Sequence, residues 1–319
     1  MRNDVLKVKD LTKIFKSWSW RRFKYKHTKA VNNLSFKINE GEIVGILGPN
    51  GAGKTTTIQM LLGCLTPTSG QVSYFGQQPG FFNPQIKQKL NFASAYSELP
   101  HRMTVWENLD VYARLYSVKN KSKRINELLD VFEIKEFKKR DMLSLSAGQK
   151  TRVVLAKSFV NYPRLLLLDE PTASLDPEIA AKVRRFLLKQ ARQYQVSILF
   201  TSHNMKEVEE VCDRIIFLNH GQKIAQDTPK GLAQRIKKVK LNLLVIANKQ
   251  KASDYLSYKK IKYNWKKDWL TLTVKDEQIP KILYRLSQKE VRYKNLEIIR
   301  PNLEDFFLKI ARHKGKNES

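Results

Sequence analysis

The sequence predicts an α/β fold carrying a phosphate-binding loop, followed by a smaller α+β domain. Three observations predict it. Strand-like and helix-like stretches alternate over the first 230 residues, the order that builds a sheet covered by helices. The apolar run IVGIL (Ile43–Leu47) opens into GPNGAGKT (Gly48–Thr55) and then the helix-forming TTTIQMLLG, the strand–loop–helix context that a phosphate loop requires. Beyond about residue 230 the pattern shifts to short strands and short helices with a basic balance.

Taken in order, VLKVKDLTKIF and AVNNLSFKI alternate apolar and polar positions and predict two half-buried strands. Between them lies Ser17–Lys29, SWSWRRFKYKHTK, with two tryptophans, a phenylalanine and a tyrosine among six basic residues, His27 included. Its place between two strands predicts a loop. Three readings stand open: a solvated loop, a surface on which nucleic-acid bases stack, or contact with anionic headgroups. In the last, Trp18 and Trp20 sit at the interface and Arg21, Arg22, Lys24 and Lys26 meet phosphates. The turn NEGE precedes IVGIL, whose β-branched apolar run predicts a strand buried on both faces. From about residue 84 to 162 the spacing is mostly helical, as in ENLDVYARLY and INELLDVF, and predicts a helical insertion. LLLLD, VSILFTS and RIIFLN are further strands, separated by the helices PEIAAKVRRFLLKQARQY and NMKEVEEVC. The break TPKG divides a domain at 1–230 from one at 231–319. The remainder reads strand, helix, hairpin, helix, strand, the order of a split-βαβ, ferredoxin-like unit, and closes on the helix NLEDFFLKI.

Composition narrows the function classes. No run of about 20 apolar residues occurs, so nothing predicts a membrane-spanning helix, and MRNDVLKVKD has no character of a secretory signal. Cys64 and Cys212 stand in no CxxC or Cys/His pattern. That argues against a disulfide scaffold or zinc site, fits a reducing cytosol, and leaves both as small buried hydrophobes. The net charge is +29, concentrated at the ends: 10 basic against 2 acidic residues in 1–29, and 22 against 9 in 231–319. Such excess suits nucleic acid or an anionic membrane surface, and charge alone does not choose.

Three motifs carry chemistry. In GPNGAGKT, Gly48, Pro49, Asn50, Gly51, Ala52 and Gly53 let the backbone amides face phosphate oxygens beside the positive end of a helix. Lys54 reaches the outer phosphates, and the Thr55 hydroxyl, followed by Thr56, suits Mg²⁺. LLLLDE delivers Asp169 to the C-terminal end of a buried strand, placed for the Mg²⁺ shell, with Glu170 next to it to orient or deprotonate water. LSAGQ, Leu145–Gln149, precedes the helix that leads into that strand.

With LSAGQ in this place the chain resembles the ATP-binding cassette (ABC) family, whose signature is LSGGQ. The further motifs follow in order: Asp176 in ASLDP matches the D-loop, His203 after SILFT matches the switch histidine, and Phe15 in LTKIF takes the place of the aromatic that stacks on adenine. The resemblance covers at least residues 5–230. It implies a P-loop NTPase fold of the ABC type, ATP and Mg²⁺ as ligands, and Glu170, His203 and Lys54 as catalytic residues. It also implies that Ser146, Ala147, Gly148 and Gln149 hold the γ-phosphate of a second copy's ATP, in a head-to-tail homodimer. One departure stands out. Aligning TVWENL to the family's T-x-x-E-N-L puts Ala95 where a glutamine belongs, with Ser94, Tyr96 or water as its substitutes.

Three couplings compete: a transporter's ATPase subunit with a separate membrane-spanning permease, a soluble ABC ATPase acting on nucleic acid or ribosomes, and a regulator with little turnover. Lys54 and Leu145 are 91 positions apart without sustained heptads, unlike coiled-coil DNA ATPases, and only one cassette is present. Glu170 and His203 disfavour the regulator. NLEDFFLKI resembles the LEDVFL ending of exporter-type subunits. The expectation is therefore an exporter ATPase, cytoplasmic and peripheral on the inner face of the cell membrane, with nucleic acid disfavoured.

Overall fold

β1 (Asp4–Ser19) and β2 (Lys24–Asn39) form an antiparallel ribbon in the computed structural model, which describes residues 3–19, 24–77, 83–94 and 97–314. The pairing runs from Asp4↔Asn39 to Ser19↔Lys24. This corrects the expectation of a loop over Ser17–Lys29: both flanks are strand, and residues 20–23 lie outside the described residues. The physical reason is twofold. Aromatic residues favour extended backbone, and a paired ribbon gives each strand's amides and carbonyls a partner.

The chain divides into two compact units, Met1–Pro229 and Lys230–Ser319. In the first, β3 (Ile43–Leu47), α1 (Lys54–Leu61), β4 (Ser69–Tyr74), α2 (Pro84–Gln88) and β5 (Leu90–Ser94) follow the ribbon. Then come α3 (Val105–Leu115), α4 (Lys121–Val131), α5 (Ala147–Ser158), β6 (Leu165–Asp169), α6 (Pro177–Tyr194), β7 (Ser197–Thr201), α7 (Met205–Val211), β8 (Arg214–Asn219) and β9 (Gln222–Asp227). The main sheet has the order β5-β6-β7-β3-β8-β9, parallel except for β9, and β4 joins the ribbon in a second sheet of order β2-β1-β4. Every residue of β3, β6 and β7 is buried, which is why these strands are continuous apolar runs rather than alternating ones. Leu6, Leu34, Ile46, Ile58, Leu167, Leu199 and Ile216 share one core between the two sheets and α1. Each such burial contributes about 2 kcal/mol.

The helical stretch is narrower than the expected 84–162. Residues 90–94 form β5, registered against β6 from Leu90↔Leu165 to Ser94↔Asp169. Within the expected 84–162, helices of two or more turns begin only at α3. Thr104 starts α3 through a capping box, its hydroxyl accepting from the Glu107 amide at 3.2 Å while the Glu107 carboxylate accepts from the Thr104 amide at 2.8 Å. Those hydrogen bonds hold the Glu107 carboxyl below its ordinary range. On α5, Lys157 is buried with its ammonium donating to the Phe92 carbonyl of β5 at 2.7 Å. Burial lowers its pKa to about 8. The cysteines divide: Cys212 is buried, but Cys64, just past the end of α1, is exposed. The second half of that expectation fails because a helix end turning back to solvent offers no core to fill.

In the second unit, α8 (Pro229–Gln234), β10 (Lys238–Ala247), α9 (Lys249–Tyr258), β11 (Tyr263–Lys266), β12 (Trp269–Lys275), α10 (Ile279–Gln288), β13 (Arg292–Ile299) and α11 (Leu303–Lys314) follow. Its sheet is antiparallel throughout in the order β11-β12-β10-β13, the arrangement a split-βαβ unit generates. Val239, Leu241, Leu243 and Val245 on β10 alternate into the core against Leu256 of α9 and Ile279, Ile282 and Leu286 of α10.

Candidate active site

The turn after β3 is built from backbone geometry that side chains would obstruct. Gly53 has φ +98°, and a Cβ there would lie 2.3 Å from the Ala30 carbonyl oxygen. At Gly48 a Cβ would lie 2.2 Å from the Leu218 carbonyl oxygen. The loop is therefore pressed between β2 and the end of β8, and only glycine fits at these two points. The Ala52 amide donates to the Pro49 carbonyl at 3.1 Å, curling the loop toward the N-terminus of α1. Lys54 is buried at that N-terminus, donating to the carbonyls of Gly48 at 2.8 Å and Pro49 at 3.4 Å. Asn50 and Gly51 lie in the same turn, and Thr55 and Thr56 are in the first turn of α1.

Asp169 ends β6 beside this loop and spends both oxygens on hydroxyls. Oδ2 accepts from Thr55 at 3.2 Å, and Oδ1 accepts from Thr201 at 2.6 Å. The sequence singled out Thr55 and Asp169. It did not single out Thr201, whose signal was its place at the end of a parallel strand, level with Asp169 in the register. A hydroxyl and a carboxylate are hard oxygen donors that suit Mg²⁺, which takes its remaining ligands from phosphates and water. Among the described residues no cluster of three or more His, Cys, Asp or Glu could hold a metal alone.

Glu170 has φ +52°, an uncommon conformation for a residue other than glycine. Its amide donates to the Thr201 hydroxyl and carbonyl, each at 3.1 Å. The side chain is mostly buried, and Oε2 meets Nδ1 of His203 at 2.7 Å and the His203 amide at 3.3 Å. Against an ionised carboxylate Nδ1 is the donor. The 33 positions that separate Glu170 and His203 close because β6 and β7 are neighbours in the sheet.

LSAGQ takes a different position. Ser146 caps α5 in a capping box: its hydroxyl accepts from the Gln149 amide at 3.3 Å, and the Gln149 side chain accepts from the Ser146 amide at 2.9 Å. Ser146 and Ala147 are exposed, and Gly148 and Gln149 half-buried. Among the described residues no hydrogen bond joins this helix start to Gly48–Thr56. Asp176 likewise caps its own helix, Oδ1 accepting from the Ile179 amide at 3.0 Å at the start of α6. Phe15 lies on the β1 ribbon, 42% exposed, with the Lys13 ammonium 5.4 Å from its ring centre. Of the residues around the expected departure, Ala95 and Tyr96 lie outside the described residues. Ser94 is buried at the end of β5, level with Asp169.

Comparisons with known proteins place the chain among its relatives. A family model described as "ABC transporter" matches residues 31–173. The chain is 35% identical over 210 residues to Nod factor export ATP-binding protein I of Rhizobium sp. (strain N33), covering 64% of this chain and 68% of that one. It is also 35% identical over 228 residues to the bacitracin transport ATP-binding protein BcrA of Bacillus licheniformis, covering 70% of each. Among solved structures, an ATP-binding subunit of an ABC transporter superposes with a TM-score of 0.64 at 24% identity, over 72% of this chain and 92% of that one. A dimeric post-hydrolysis cassette bound to ADP and Pi superposes at 0.63 and 24%, over 70% and 98%.

Proposed function

The chain belongs to the ABC transporter family as an ATP-hydrolysing subunit, and from that premise we propose which residues do the work and with what partners. ATP is the substrate. Its phosphates lie in the curl of Gly48–Gly53 with Lys54 and the amides of Thr55 and Thr56 as donors, and Phe15 stacks on the base. Thr55 and Asp169 hold Mg²⁺, which neutralises charge on the transferred phosphoryl group when bound. Glu170 takes a proton from the attacking water. His203 fixes the Glu170 carboxylate through Nδ1 and turns Nε2 toward the γ-phosphate. The single observation carrying this reading is the Glu170–His203 pair at 2.7 Å beside an Asp169 that is bonded to Thr55.

The exposed start of α5 supports a composite site. Ser146, Ala147, Gly148 and Gln149 meet the ATP held by a second copy's phosphate loop, with Asp176 alongside, so two chains close head to tail around two nucleotides. ATP favours the closed pair, and loss of the γ-phosphate lets it reopen. The pair powers export through a separate membrane-spanning partner. As the ATP-hydrolysing subunit of an exporter, the chain is placed as a peripheral subunit on the inner face; among the described residues no helix is long and apolar enough to cross a membrane. Nothing supports the nucleic-acid alternative. The test is complementation. Lys54→Ala chains mixed with Ser146→Arg chains form heterodimers with one intact composite site. Phosphate release should rise at least several-fold above either variant alone, and no gain would remove the head-to-tail arrangement.

A second reading concerns the ribbon. Lys16, Trp18, His27 and Lys29 are exposed along β1 and β2, and this mixture of aromatic and cationic side chains fits an anionic membrane surface, at about 1 kcal/mol per basic residue. Cosedimentation with anionic liposomes should weaken in a Ser17–Lys29 deletion and fade as salt rises past 0.1 M, where the screening length is about 10 Å. Equal binding by parent and deletion would remove the ribbon from the membrane contact.

A further inference from the structure

A buried polar knot lies behind the Glu170–His203 pair, built from residues the functional reading does not use. Glu207, on α7, is 7% exposed. Its Oε2 accepts from the Thr172 hydroxyl at 2.7 Å and the Ser202 hydroxyl at 3.1 Å, and its Oε1 accepts from Arg184 of α6 at 3.1 Å. Thr172 and Ser202 are themselves 6% and 2% exposed. Three donors from three segments thus converge on one carboxylate. The Ser202 hydroxyl also accepts from the Asn204 amide at 3.0 Å. The residues on both sides of His203 are therefore tied to one oxygen, and that oxygen is tied to Glu207. Thr172 lies two residues beyond Glu170 on the other arm. The same groove, about 320 Å³, is lined by Glu170 and His203 as well as by Glu207 and Arg184.

We infer that Glu207 is a positioning residue for hydrolysis: it holds the Ser202–Asn204 turn and the segment after Glu170 at the separation that brings the Glu170 carboxylate onto His203 Nδ1. The inference rests on the assignment of Glu170 and His203 as the hydrolytic pair. The physical argument is one of stakes. A carboxylate excluded from water is strongly disfavoured unless its charge and lone pairs are satisfied, and here the satisfying groups include the two loops that carry the pair. Loosening either loop would strand Glu207, so both are held. Arg184 balances the charge and also meets Glu210 at 2.7 Å, so it keeps a partner when Glu207 is replaced. Neutral Gln cannot reproduce the knot. With its amide oxygen on Arg184, its nitrogen would have to donate to the Thr172 and Ser202 hydroxyls, reversing both hydrogen bonds, and the negative charge opposite Arg184 is lost.

The test is steady-state ATP hydrolysis by Glu207→Gln, Ser202→Ala and the double variant, with ATP affinity and thermal unfolding measured on the same preparations. A misplacement of about 1 Å costs on the order of 10²-fold in rate. Glu207→Gln should lower kcat about 10- to 100-fold with KM and ATP affinity within two-fold of the parent. Glu207→Asp should recover part of the loss. Because Glu207 acts through Ser202, the double variant should be no slower than the slower single one, the non-additivity of groups that act as a unit. Parent-level kcat in both single variants would overturn the inference. So would losses that multiply in the double variant, or a kcat that falls only as the folded fraction falls. Should Glu207→Gln not fold, Ser202→Ala, which deletes one buried hydroxyl, carries the same kcat-against-KM test. Glu170→Gln run in parallel separates the two levels: parent-level turnover in Glu170→Gln removes the hydrolytic pair itself, whereas loss there with parent-level turnover in Glu207→Gln and Ser202→Ala removes only the positioning role.

Discussion

Glu170→Gln is expected to lower kcat for ATP by about 10²–10⁴-fold while ATP affinity stays within a few-fold of the parent protein. The amide keeps an oxygen that can accept from His203 Nδ1 and the His203 backbone, the two contacts now made by Glu170 Oε2. It cannot take a proton from water. Because we propose that the phosphate loop, and not Glu170, holds the nucleotide, the variant should accumulate in the ATP-bound, closed two-chain state, seen by light scattering as a doubling of mass that persists until ATP is removed. Turnover at the parent rate would mean that the proton goes elsewhere, and the role of Glu170 would be withdrawn.

Lys54→Ala should act on the other side of the balance, weakening ATP binding by about 100-fold, or about 3 kcal/mol, the scale of one charge-assisted hydrogen bond lost to a phosphate. Lys54 is buried against the carbonyls of Gly48 and Pro49, so its stem is already held at the mouth of the loop. Little side-chain freedom remains to be lost when it turns onto a phosphate oxygen. Titration calorimetry with ATP under conditions that block turnover reads this directly. Equal affinity in parent and variant would place the nucleotide outside this loop. The two variants together should split cleanly, one binding without turning over and the other failing to bind.

Much of this is encoded locally. GPNGAGKT is readable because the strand and helix flanking it are contiguous in sequence and the turn between them needs a residue at φ +98°, which Gly53 supplies. The helix PEIAAKVRRFLLKQARQY is readable to its ends because Pro177 at the first position and Asp176 as cap are local start signals. Ser146 and Gln149, three apart, carry a capping-box pattern that is easily overlooked when LSAGQ is read as a phosphate contact. Patterns of this kind concern neighbours within about four positions, where the chain's own geometry decides who meets whom.

What the sequence left open is what requires two distant segments to find one register. Ser17–Lys29 reads as a loop from its place between two strands, yet its flanks are strand because each half meets the other in a ribbon. Residues 90–94 look like the start of a helical region until β6 lies beside them. Cys64 and Cys212 are alike in sequence, and only the packing makes one exposed and the other buried. Glu207 is one more acidic residue on a helix that reads as polar; it is singular only because Thr172, Ser202 and Arg184 arrive from 35, 5 and 23 positions away to fill its lone pairs. By itself the sequence determined the kind of chemistry, since loop, cap and strand-end motifs need only short-range geometry. The tertiary structure alone decided which carboxylate meets which histidine and what holds them there, because parallel strands bring together residues that no local periodicity relates.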